Sequence, residues 1–164
     1  MNKPTAYGSF KKAGGNIYRT SAYIQWGNSD KSLGACLLLN PGSAALEESL
    51  EEIFDKHGIA SGSIRSTDPT MNQLIALVEK IYQSERVLSG RLDIYNLFNL
   101  QNTSAYEAIN QFEELVRSGH YNIKGSVVST KELQLHPWII VLFRSIDFSP
   151  LKCCLLFISR IGEV

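Results

Sequence analysis

A chain of 164 residues with 44% apolar residues is long enough to bury one real core, so a single compact domain is expected. Lysine plus arginine and aspartate plus glutamate are each 16, which leaves no net formal charge to draw the whole chain to nucleic acid or to an anionic membrane. The longest apolar runs, residues 138–143 and 153–158, fall far short of the roughly 18 that suggest a membrane span, and the polar N-terminus has no signal-like apolar stretch, so a cytoplasmic protein without a membrane partner is expected.

Residues 1–16 carry Gly8, Gly14, Gly15 and Lys11-Lys12 with little periodicity and read as a flexible lead-in, leaving 17–164 as the folded domain. Residues 18–26 are rich in β-branched and aromatic side chains and stop at the turn cluster Gly27-Asn28-Ser29-Asp30; residues 35–39 then resume as a continuous apolar run. These two segments are expected to pair antiparallel. From 44 to 57, Leu46, Leu50, Ile53, Phe54 and His57 fall on one helical stripe, and Glu47, Glu48, Glu51, Glu52 and Asp55 take the remainder. The acidic face reads as solvated surface with carboxylates near a helix N-terminus rather than as a metal site.

Residues 58–67 are rich in glycine and serine and read as a loop. Asp68-Pro69-Thr70 then opens a helix running to about residue 83, with Asp68 as N-cap and Pro69 in the first turn. Residues 92–98 read as an interior strand. Ser104, with Glu107 three positions later, starts a third helix in a capping-box pattern, and Ser118-Gly119 ends it. Residues 138–143, after His136-Pro137, form another apolar strand, and 151–161 have either strand or terminal-helix character. The alternation predicts an α/β fold: a single three-layer domain with a mixed, mainly parallel sheet and helices on both faces.

Cys36, Cys153 and Cys154 are an odd number without framework spacing and read as free thiols, while His57, His120 and His136 lack ligand spacing, so neither metal nor cofactor is expected. The chemistry is expected where strands end in amides. If the strands ending at Asn40 and Asn96 are parallel neighbours, both asparagines lie on one sheet edge. The 58–67 segment can return the chain to that edge, since about ten extended residues reach roughly 33 Å whereas a fourteen-residue helix rises only about 21 Å. Asn40, Ser43, Asp68, Thr70 and Asn96 then share a crevice supplied with free N–H groups from two helix starts, which favours an anion or a polar ring. In this reading Asn40 and Asp68 are candidates for catalysis, and Arg19, Ser43, Thr70 and Asn96 for ligand binding. Each also has an architectural reading: the asparagines finish strands, and Asp68 and Ser43 cap helices. His136 reads either as a general base or as a residue flanking a strand.

The order of Arg19, Trp26, Asn40-Pro41 with Ser43, Asp68-Pro69-Thr70 and Asn96-Leu97 resembles a bacterial family catalogued as domain of unknown function 1643, over about residues 17–143. The chain departs from that pattern in the helix and loop inserted between Asn-Pro and Asp-Pro-Thr, and in Leu142-Phe143-Arg144 where a Gly-Trp-Gly-like strand end is the family tendency. More faintly, Asn40-Pro41-Gly42 is similar to the turn with which mismatch-specific uracil-DNA glycosylases place the attacking water, with Ser149-Pro150 as the nearest candidate for their second loop. Three functions follow as expectations. One is binding of a small polar or nucleotide-like ligand at the strand edge, with hydrolysis as a further step. The others are a non-enzymatic interaction domain using the apolar tail from Leu151, and a glycosylase-like nucleic-acid enzyme.

Overall fold

The computed structural model describes residues 3–125, 128–144 and 153–159. Ser149-Pro150 and the ends of the apolar tail at 151–152 and 160–161 lie outside the described residues. The fold is α/β. Its strands are β1 (Thr5–Ala13), β2 (Asn16–Trp26), β3 (Ser32–Leu38), β4 (Ala45–Leu46), β5 (Ile59–Ser66), β6 (Gly90–Asn96), β7 (Trp138–Arg144) and β8 (Cys153–Ser159). Its helices are α1 (Glu48–His57), α2 (Pro69–Ile81), α3 (Ala105–Arg117) and the single turn α4 (Thr130–Leu133).

The strands form one sheet in the order β4-β5-β1-β2-β6-β3-β7-β8. Among the described residues parallel pairing is confined to β3 with its neighbours β6 and β7, and every other pairing is antiparallel. The expected mainly parallel sheet is therefore corrected to a mixed sheet with a parallel centre. Hairpins such as Ala13–Asn16 need only a tight turn, whereas same-direction strands need a long crossover, which here runs from β3 through α1, β5 and α2 to β6.

Three segments differ from their sequence expectation. Residues 5–13 are no loose lead-in: β1 lies between β2 and β5, with Ala6 and Phe10 buried. Its apolar alternation is interrupted by Gly8, where a Cβ would approach the Phe10 ring to 2.8 Å. Residues 58–67 are not loop either: β5 buries Ala60 and Ile64 on one face and leaves serines on the other, a period-2 pattern weakened by its small residues. The third correction concerns β2 and β3, which do not pair with each other because β6 lies between them.

One core lies under α1 and α2. Phe54, Met71, Leu74 and Val78 pack there against Ile24 and Trp26 of β2, Cys36 of β3 and Leu92 of β6. Two smaller clusters lie apart from it: Ala35, Ile139 and Val141, of opposite strand parity, with Leu133, and Phe98, Leu100 and Ala108, beyond the end of β6, with Tyr18 and Leu39. Phe98 stacks on Phe112 at a centroid distance of 4.4 Å, which anchors α3 to the segment after β6. Among the described residues no helix is long and apolar enough to cross a membrane.

Gly34 in β3 sits at φ 151° with the Trp138 indole where a Cβ would project, and that indole donates to Tyr82 Oη at 3.3 Å. Gly34→Ala is expected to cost about 2–3 kcal/mol through overpacking and backbone strain, read as a lower urea midpoint at unchanged slope.

Candidate functional site

The parallel register of β3 on β6 pairs Leu38 with Asn96 and so brings the two strand ends to one edge. Beyond them the chains stay joined: Leu97 N–H donates to Leu38 O at 2.9 Å, Phe98 N–H to Leu39 O at 3.3 Å and Asn102 N–H to Pro41 O at 3.1 Å. Asn40 Nδ2 donates to Pro41 O and Asn102 O, both at 2.9 Å, and Gln101 Nε2 donates to Gly42 O at 2.8 Å and Ala44 O at 2.9 Å. Asn40 therefore fastens two loops together with both amide hydrogens, which leaves only its carbonyl oxygen for other work.

Beneath this turn lies a buried charge. In β2 the register against β1 slips between Ser9↔Ser21 and Phe10↔Arg19, leaving Thr20 as the extra residue of a bulge. After the bulge Arg19 shares the inward side with Ala22, Ile24 and Trp26, and it is 1% exposed. Its Nη1 stands 3.8 Å from Asp68 Oδ2, while Asp68 Oδ1 accepts from Met71 N–H at 2.8 Å and caps α2. Burial lowers the guanidinium pKa from its usual value, and the Asp68 carboxylate opposes that shift. Arg19 Nε and Nη1 and Asn96 Oδ1 are buried without hydrogen-bond partners among the described residues. Gly42 closes the turn over this cluster: a Cβ there would meet Asp68 Oδ2 at 2.9 Å.

The expected site residues thus fall into three groups. Arg19 and Asp68 are buried as a pair under the turn, Asn96 is buried at the end of β6, and Asn40 ties the turn down. Ser43 is exposed on the turn's outer side, and Thr70 is half-buried in the first turn of α2. Ser43 caps no helix, because Ala45–Leu46 pairs with β5 and α1 begins after Glu47. Two hollows of about 330 and 340 Å³ open beside Ser43 and Gln101, the first also walled by Gly42, Asn102, Thr103 and Gln111. Cys36 is a buried free thiol whose pKa burial raises, so it offers no ready thiolate. Among the described residues no group of three or more His, Cys, Asp or Glu is placed to hold a metal ion.

A second polar cluster, on the opposite side of β6, gathers Ser32, Asp93 and Tyr95 around His136, of which the sequence marks only His136, as a general base or a strand-flanking residue. His136 Nδ1 lies 2.8 Å from Ser32 Oγ and 3.8 Å from Asp93 Oδ2, and its Nε2 lies 2.9 Å from Tyr95 Oη. Burial lowers the imidazole pKa, raises that of Asp93 and pushes the Tyr95 phenol up to about 12, so both Tyr95 and His136 stay neutral near pH 7. A signal was present in the alternation of Arg91, Asp93 and Tyr95 between buried Leu92 and Ile94, since a strand with polar residues on one face only presents them together. No family model, no curated protein and no solved structure matches this chain.

Asp68→Ala is expected to destabilise by about 3–5 kcal/mol in chemical denaturation, because it removes a helix cap and leaves a buried guanidinium uncompensated. Adding Arg19→Met to it is expected to recover part of that loss. For His136 the folded pKa lies below the ordinary 6.5 of the unfolded chain. Its contribution is thus complete above pH 6.5 and is lost as pH falls from there through the folded value. Stability measured from about pH 7 to about pH 5 is expected to fall less steeply in His136→Asn than in the parent.

Proposed function

We propose that this domain binds a small polar or nucleotide-like molecule at the edge where β3 and β6 end. The observation that carries the reading is the parallel register that joins the 40–43 turn to the 97–103 segment around open hollows. The ordered motifs noted in the sequence, at Arg19, Asn40-Pro41, Asp68-Pro69-Thr70 and Asn96-Leu97, converge on this one region, which supports the reading. Open α/β sheets hold ligands at the carboxyl ends of their strands for the same geometric reason: loops there are free to differ while the strands below hold them rigid.

In this reading Ser43 and the 101–103 segment contact the ligand, and Asn40 keeps the two walls in register. Arg19, buried and 3.8 Å from Asp68, braces the floor from beneath. Thr70 and Asn96 support the floor. Asp68, engaged as cap and counter-ion and 7% exposed, is not offered as a catalytic base, so binding rather than hydrolysis is the function proposed.

Thermal unfolding in the presence of nucleotides and phosphorylated metabolites tests it. At a concentration about one hundred times Kd a binder stabilises by about 2.7 kcal/mol, a rise of roughly 5–10 °C for a chain of this size. Ser43→Trp, which fills the hollows from an exposed position, is expected to abolish the rise without lowering the ligand-free midpoint. The reading fails if no compound moves the midpoint and Asn40→Ala alters stability alone.

A further inference from the structure

The face of the sheet opposite α1 and α2 carries a groove of about 460 Å³ between β2, β6 and α4, within the range of small-molecule pockets of roughly 300–1,000 Å³. Its walls include Ser21, Tyr23, Arg91, Asp93, Tyr95 and Glu132. Arg91 lies over the Tyr23 ring at 5.2 Å, and Tyr23 is stacked on Tyr7 at 5.1 Å, so the guanidinium rests on a fixed aromatic support. Its buried Nε has no hydrogen-bond partner among the described residues. Two residues along the same face stands Asp93, about 6.5–7 Å away along the strand. Tyr95 follows, held by the His136–Ser32 pair behind it.

The charges decide what such a groove can hold. A simple anion would satisfy Arg91 but meet two carboxylates, Asp93 and Glu132. A simple cation would satisfy those carboxylates and leave Arg91 unpaired in a partly desolvated wall, which costs more than leaving it in water. A molecule carrying both charges on neighbouring atoms satisfies each. We propose that this groove is a binding site for a free α-amino acid or a closely similar zwitterion, with the carboxylate on Arg91 and the ammonium group between Asp93 and Glu132. The hydroxyl of Ser21 and the amide of Asn99, which also line the groove, face a polar side chain. This groove shares no lining residue with the strand-edge hollows and does not depend on a ligand there.

Isothermal titration calorimetry of the intact chain with the twenty L-amino acids tests the proposal, followed by the decarboxylated amine and the deaminated acid of the best binder. At least one amino acid is expected to bind, and removing either ionic group to weaken binding by about tenfold or more. Arg91→Gln and Asp93→Asn are expected to weaken it similarly. Glu132→Gln, at an exposed rim position, provides the same test should either fail to fold. Ser43→Trp is expected to leave amino-acid binding unchanged, which separates this site from the strand edge. The proposal is overturned if no amino acid binds at about 10 mM. It is equally overturned if the amine or the acid alone binds as tightly as the zwitterion, or if neutralising these side chains in folded variants leaves the affinity as it was.

Discussion

Two neighbouring strands that run in the same direction cannot be joined by a tight turn, and this constraint at β3 and β6 organises the molecule. The connection leaves β3, crosses to the far edge of the sheet as β4, returns through α1 and β5, and arrives at β6 by way of α2. In doing so it covers one sheet face with the apolar sides of α1 and α2, which bury Phe54, Met71, Leu74 and Val78. The same path sets the start of α2 under the strand ends. Core and candidate site are therefore two products of one connection.

What sits at that junction is an ion pair, not a water-filled cleft. Arg19 and Asp68 are both withdrawn from solvent at 3.8 Å separation, and a pair of that kind adds little net stability compared with a well-packed apolar pair, although breaking it from one side is costly. Its structural effect is on uniqueness. The placement of α2 has to satisfy both the cap at Met71 N–H and the approach of the second Asp68 oxygen to Arg19, and a Cβ at position 42 would press on that same oxygen at 2.9 Å. The surface turn and the interior are thus tied by contact between backbone and carboxylate.

The parts of this fold that were legible in the sequence are those whose signals are local. Asp68-Pro69 and Ser104 with Glu107 mark the starts of α2 and α3 because a side-chain oxygen and an N–H two to three residues on are all that a cap requires, and both caps are present. The apolar runs of β3, β6 and β7 were equally plain, and so was the shared edge of the amides at 40 and 96. β1 and β5 were not legible, since glycine and serine carry little strand preference and the pairing that stabilises them comes from distant residues. Strand order was hidden for the same reason: nothing near residue 30 tells that β6, some sixty positions later, will separate β2 from β3. The polar cluster around His136 joins residues from β3, β6 and the approach to β7, so it is visible only after those strands are aligned.

The bulge at Thr20 has a consequence for how the interior charge arose. Strand side chains alternate strictly, so residues 19 and 22, three apart, would fall on opposite faces of a regular strand; the extra residue at Thr20 puts the guanidinium on the inward side with Ala22, Ile24 and Trp26. In a β2 paired without that bulge, Thr20 would take the inward place and Arg19 would turn outward, away from Asp68. The presence of a cation in the middle of this protein is accordingly a matter of counting along one hairpin: deleting Thr20 would leave Arg19 inside on a regular strand, whereas pairing β2 without the bulge at unchanged length would put a threonine there instead.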